Sequence, residues 1–144
     1  MNLIIDVFGN AICESVNEIE FVGNGYFKTE FYSSLYNHPQ YWLYYKTGGI
    51  IGKTSYRFIK HFKNDKAVVS TLDYKMHLID KKGQNLFTFN DDTYDVYSIN
   101  NKFFTVRTKD NKYYVLDNEY KEILNTNDAK IGPVYDEIIV LEKN

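Results

Sequence analysis

Apolar residues fall along this chain in short runs separated by tight polar turns. Three stretches share one layout: "SVNEIEFVGNGYFKTE", "SYRFIKHFKNDKAVVST" and "TYDVYSINNKFFTVRT". Each has an apolar run, a polar break and a second apolar run. The breaks are Gly23-Asn24-Gly25, Asn64-Asp65-Lys66 and Asn100-Asn101-Lys102. Gly, Asn and Asp tolerate the positive φ that hairpin turns require, so each stretch predicts a β-hairpin. A further copy of the first half, "VYDEIIVLEKN", runs from Val134 to the end.

A second half-motif follows each hairpin: "LIIDVFGNAI", "LYYKTGGIIG", "HLIDKKGQNLF" and "YVLDNEYKEIL". Its landmarks Asp6, Lys46, Asp80 and Asp117 are spaced by 40, 34 and 37 residues. In the first half-motif, Val16, Tyr56, Tyr94 and Tyr135 are spaced by 40, 38 and 41. Two series in phase indicate a repeat of about 40 residues, the size of a four-stranded propeller blade. The third unit is predicted as strands over 56–62, 67–71, 76–80 and 84–89, and the fourth over 94–99, 103–108, 113–117 and 122–125. At the ends, strands over 3–6, 11–15 and 135–141 are expected to share one composite unit, which would hide sheet edges. The expected fold is therefore all-β, one domain over residues 1–144, with four antiparallel repeats arranged like a β-propeller. An open twisted antiparallel sheet or a sandwich is the alternative.

Composition supports strands. The chain of 144 residues holds 10 Phe, 14 Tyr and 1 Trp, and aromatic residues favour sheets. With 17 basic and 19 acidic residues, it lacks the basic excess of a nucleic-acid binder. No apolar run approaches the roughly 20 residues of a membrane-spanning helix. The start, "MNLIIDVFGNAI", has Asp6 within its apolar stretch and no basic residue, and reads as a strand rather than a signal peptide. A single cysteine, Cys13, allows no internal disulfide, so a cytoplasmic setting is expected.

The stretch "FKNDKAVVSTLDYKMHLIDKKGQNLF" resembles the WG repeat, a bacterial repeat also called KWG. Ala67 and Val69 match its Ala-x-Val positions, Lys75 its lysine, Ile79-Asp80 its Ile-Asp and Gly83 its turn glycine. The naming Trp-Gly pair is absent. Met76-His77 stands there in this unit and Tyr113-Tyr114 in the next, while Trp42 holds the tryptophan position of the second unit but precedes Leu43. The resemblance covers about half of the chain. It implies a β-repeat fold used for binding or scaffolding, without catalysis.

Motifs for chemistry are few. "GGIIGKTS" ends like a phosphate-binding loop, but five residues before Gly52 stands Thr47 where the motif needs glycine. It also leads into "SYRFIKHF", which reads as a strand, whereas the motif needs a helix. A glycine turn between strands is the better reading. His38, His61 and His77 show no metal-ligand spacing, and Cys13 sits in an apolar strand without a base beside it, so neither a metal nor another cofactor is expected. The acidic residues Glu18, Glu20, Asp91, Asp92, Asp95, Asp136 and Glu137 are scattered. The spacing of a calcium loop is missing around "FNDDTYD".

One segment breaks the repeat. "FYSSLYNHPQYW" separates the second and third strands of the second unit where other units have a short turn. Its aromatic residues suit a partner surface, because interface hot spots favour Tyr and Trp. Trp42, on a repeat position, is expected to pack instead. The second insertion, "NTNDAKIGP", reads as a polar connector. The expectation is a non-catalytic protein-binding module, most specifically an immunity protein that occludes the active site of a basic bacterial toxin. Candidate contacts are Phe31, Tyr32, Tyr36, His38, Glu18, Glu20, Asp91, Asp92 and Asp95. The alternative is a β-repeat protein that binds a small ligand or glycan. Neither nucleic acid nor membrane is an expected partner. The reading of "GGIIGKTS" as a turn predicts no Mg²⁺-dependent binding of ATP in equilibrium dialysis; such binding would restore the phosphate-loop reading.

Overall fold

The structure, a computed structural model, describes residues 2–15, 18–99, 102–126, 129–135 and 138–143. Val16, Asn100, Asn101, Asp136 and Glu137 from the sequence analysis lie outside these. All regular elements among the described residues are β-strands, and every pairing is antiparallel. The chain divides into two compact units, Met1–Thr88 and Phe89–Asn144.

The first unit holds three sheets. Strands β1 (Asn2–Ile5) and β2 (Ala11–Ser15) form a two-stranded sheet. Strands β3 (Ile19–Gly23), β4 (Tyr26–Phe31), β5 (Gln40–Tyr45) and β6 (Ile50–Tyr56) form a four-stranded meander. So do β7 (Phe58–Ile59), β8 (Lys66–Ser70), β9 (Met76–Asp80) and β10 (Asn85–Thr88). Side chains alternate across a strand, and the register sorts them by face. Lys28 lies opposite Leu43 and Tyr26 opposite Tyr45 on one face; Phe27 lies opposite Tyr44 on the other. The first face meets the next sheet in a core of Val22, Leu43, Tyr56, Ile59, Val69 and Ile79, all buried. Tyr26 stacks on Phe62 at 4.1 Å, and its hydroxyl donates to the Lys81 carbonyl at 2.9 Å, which ties one sheet to the far turn of the other.

The second unit holds a meander of β11 (Thr93–Ile99), β12 (Phe103–Thr108), β13 (Tyr113–Asp117) and β14 (Glu122–Thr126). A hairpin of β15 (Ala129–Tyr135) and β16 (Ile138–Lys143) follows. Ile131 from this hairpin is fully buried with Tyr113 and Val115.

Among the described residues, β1 pairs with β2 in the first unit and β15 with β16 in the second. Two expectations are corrected. Most of the supposed polar connector is β15: Ile131 anchors it, and Pro133 is accommodated where the register shifts between Ile131 and Val134. The strand expected over 56–62 shrinks to β7. Tyr56 pairs with Tyr41 as the end of β6, and the Phe62 amide leaves its own sheet to donate to the Val22 carbonyl at 2.6 Å.

Turn chemistry explains why the repeat was legible. Asn64 and Asp65 both take positive φ between the bridged residues Lys63 and Lys66, a two-residue hairpin turn. The Asp6, Asp80 and Asp117 carboxylates each accept two backbone N–H groups, from residues two and four ahead, at 2.8 to 3.0 Å. The residue three ahead has positive φ: Gly9, Gly83 and Tyr120. Tyr120 adopts this unfavourable conformation with its ring 5.8 Å from Phe104. In the second unit of the repeat the equivalent position is Tyr45, not Lys46. Gly48, with positive φ, donates to the Tyr45 carbonyl at 2.8 Å. Positions 6, 45, 80 and 117 are spaced by 39, 35 and 37 residues, a more even series than the one built on Lys46. "GGIIGKTS" is thus a glycine turn between strands, as expected, but β6 runs on through Lys53 to Tyr56 where a link was expected to begin.

A second turn recurs as "TLDYK" and "TKDNK", 37 residues apart. Thr71 and Thr108 donate to the carboxylates of Asp73 and Asp110, and Tyr74 and Asn111 take positive φ. Hydrogen bonding from these threonines holds both carboxyls below the usual range. A folded pKa below the unfolded value contributes stability at neutral pH that is lost as pH falls through the folded value. The acid limb of the unfolding curve below about pH 4 is therefore expected to be shallower in an Asp73→Asn, Asp110→Asn variant. An unchanged limb would remove this role. Asp80→Ala frees two amides at once and is expected to cost about 1–2 kcal/mol in urea unfolding, with Asp80→Asn recovering part of it.

Candidate protein-binding surface

The segment between β4 and β5 is fixed at both ends by the sheet. Phe31 stacks on Trp42 at 5.9 Å with planes 15° apart, so both serve packing at the root of the loop. Beyond it Tyr32 and Leu35 stand 66% and 82% exposed, and Tyr36 is 38% exposed. The His38 ring lies 5.6 Å from Tyr36 and 5.8 Å, edge-on, from Tyr74. Its Nδ1–H donates to the Pro39 carbonyl at 2.9 Å. Nε2 is buried without a hydrogen-bond partner among the described residues. The loop therefore leans on the "TLDYK" turn of the next sheet. There the Arg57 guanidinium sits 4.7 Å from the Tyr74 ring centre and 5.0 Å from that of Phe58.

The acidic candidates divide. Glu20 pairs with Lys28 at 3.1 Å and lies 3.9 Å from His61; Glu18 is exposed, and its carbonyl accepts from the Glu30 amide at 2.9 Å. Glu30 joins this edge to the loop by accepting from the Tyr32 and Tyr41 hydroxyls at 3.4 and 3.5 Å. The Glu30 charge raises the Tyr32 pKa, and burial followed by the same charge raises that of Tyr41. Both phenols stay neutral at physiological pH. Lys28 also lies 4.4 Å from the Tyr41 ring centre. Asp91, Asp92 and Asp95 belong to the second unit. Asp91 and Asp92 are exposed before β11, where their carbonyls accept from Lys109, and the Asp95 carboxylate accepts from the Val96 amide at 2.9 Å. The structure thus gathers Phe31, Tyr32, Tyr36 and His38 on one loop beside Glu18 and Glu20.

Two features escaped the sequence reading. Tyr74, 61% exposed, occupies a positive-φ position where the equivalent turn has Asn111. The turn needs a residue tolerant of that conformation, so the tyrosine ring serves something else. Val7 and Phe8, 94% and 87% exposed, fill the central positions of the Asp6 turn. The equivalent turns carry Lys81-Lys82 and Asn118-Glu119 there. With Ile5, Ile12, Phe21 and Phe27 they line a groove of about 630 Å³. Comparing equivalent turns with one another was the signal that could have found both.

No family model and no curated protein matches this chain. Among solved structures, its fold is similar to that of BamB from Moraxella catarrhalis, a β-propeller, with a TM-score of 0.52 and 16% sequence identity. The match covers 88% of this chain and 38% of that one, so the chain spans well under half of the structure it resembles. The likeness and the four-stranded meanders together define an all-β, propeller-like repeat fold. Among the described residues, no group of three or more His, Cys, Asp or Glu side chains is placed to hold a metal.

Exposed loop residues and packed root residues should separate in stability. Leu35→Ser is expected to change unfolding free energy by less than about 0.5 kcal/mol, and Trp42→Ala to cost about 2 kcal/mol or more. Equal costs would show that the loop is part of the core.

Proposed function

We propose that the chain is a non-catalytic protein-binding module, and specifically an immunity protein that neutralises a bacterial toxin in the cytoplasm by covering its active site. The observation that carries the reading is the β4–β5 loop, which holds Leu35 and Tyr36 out to solvent while its root is locked by the Phe31–Trp42 stack. A rigid sheet presenting aromatic residues loses little entropy on binding. Tyr36 and Tyr74 provide large contact area with polar tips, the character of interface anchors. Glu18, Glu20 and Glu30 at the adjoining edge would steer a basic partner and speed encounter. A nuclease active site is basic because it holds phosphates, so occlusion by this face matches charge to charge. Asp91, Asp92 and Asp95, in the second unit, are further candidate contacts for a basic partner. In this reading the repeats are divergent WG repeats.

The test is coexpression with the toxin domain encoded beside the gene. The chain is expected to restore growth and to bind the purified domain. Leu35→Ser with Tyr36→Ala should weaken binding by about tenfold or more. Lys substitutions at Glu18 and Glu20 should slow association and flatten its salt dependence. Absence of binding removes the immunity reading. Loss of binding on Phe8→Ser, with the loop variants unaffected, moves the partner to the Asp6 turn.

A further inference from the structure

In the first unit, β6, β8, β9 and the β9–β10 turn enclose an open cleft of about 500 Å³, within the size range of small-ligand sites. Burial sorts its lining. Val69, Ile79 and Tyr56 are at most 4% exposed and form its apolar depth, while Lys53 and Lys82 are exposed and stand at the rim. No carboxylate is among the residues that line it. His77 also lines it, held between the hydroxyls of Thr71 at 3.3 Å and Thr88 at 2.9 Å. Burial pushes its pKa down, so the imidazole is neutral at pH 7 and the charge of the cleft comes from the lysines.

The Tyr56 side chain lines the cleft and is more than nine-tenths buried, with its hydroxyl beside Gly52. Burial raises its pKa, so it is a neutral phenol. Two glycines set the packing beside this hydroxyl. A Cβ on Gly52 would lie 2.8 Å from it, and a Cβ on Gly83 would lie 2.8 Å from the Gly52 nitrogen. The glycines therefore do more than bend the chain: they let the β9–β10 turn close on the β6 backbone, and β6 on the hydroxyl, at this end of the cleft.

We propose that this cleft binds a small anionic sugar, one that carries a phosphate or a carboxylate. The anionic group lies between Lys53 and Lys82, the sugar ring rests on Tyr56, Val69 and Ile79, and a ring hydroxyl bonds the Tyr56 hydroxyl. Thr54 and Gln84 offer further polar partners at the rim. The site is independent of the protein-binding surface and stands or falls separately from it.

Isothermal titration calorimetry on the full chain tests this with four probes: glucose 6-phosphate, glucuronate, glucose and inorganic phosphate. At least one anionic sugar is expected to bind about tenfold more tightly than glucose or phosphate alone, and comparing the two identifies the anion. Added salt should weaken it. Lys53→Ala and Lys82→Ala, both exposed and so without effect on the thermal melt, should each weaken binding about tenfold. Tyr56→Phe, which keeps the ring, should weaken it further than Val69→Ala. Failure of both anionic sugars to bind at millimolar concentration overturns the proposal. So does binding that glucose matches or that the lysine variants leave unchanged.

Discussion

Three hairpins among the described residues depend on a carboxylate that gathers two backbone N–H groups where the strand reverses. At Asp6, Asp80 and Asp117 one carboxylate oxygen takes two amides, and the residue three ahead accepts a positive φ. The bend fixes how many residues separate the two strands. Separation fixes register, and a slip of one residue would turn every side chain to the opposite face. In the first unit the resulting face buries Leu43 and Val69 against each other's sheets. In the second it places Val115 on Ile131. Core and surface alike follow from where the chain turns.

This dependence explains what could be read in advance. The strands of the fourth repeat agree with expectation to within a residue, because "TKDNK" and "DNEYK" punctuate them with turn-forming residues. β15 was missed because its first residues belong to a polar run that reads as a connector, with Pro133 marking the connector's end. A bulge that tolerates proline leaves no mark in the sequence. The shortening of β7 was hidden for another reason. It results from a bond between Phe62 and Val22, 40 positions apart, and such a bond has no local signature.

The surfaces were legible in part. An insertion that interrupts a repeat is visible as a length anomaly, and the structure holds Tyr32 and Tyr36 within it out to solvent. The sequence could not say that Phe31 belongs to the root of the loop rather than its tip. Nor did it show that Tyr74 joins the loop from the next sheet, because that contact exists only once both turns are formed. The same holds for the cleft beside Gly52. Its lining comes from four segments, and the fragment that first suggested a phosphate loop contributes one wall by lying in a strand. Departures from the repeat, judged position by position, mark where the chain serves something besides folding.

The central claim is that equivalent carboxylates organise equivalent turns, and amide hydrogen exchange resolved by residue tests it most directly. Gln84 and Lys121 are exposed turn residues four positions after Asp80 and Asp117. Their amides are expected to exchange at least about tenfold more slowly than those of unstructured peptide, since opening must break a charge-assisted hydrogen bond. The Asp80→Ala variant should release Gln84 while leaving Lys121 protected. Exchange of both amides at the unstructured rate in the unaltered chain would contradict the account.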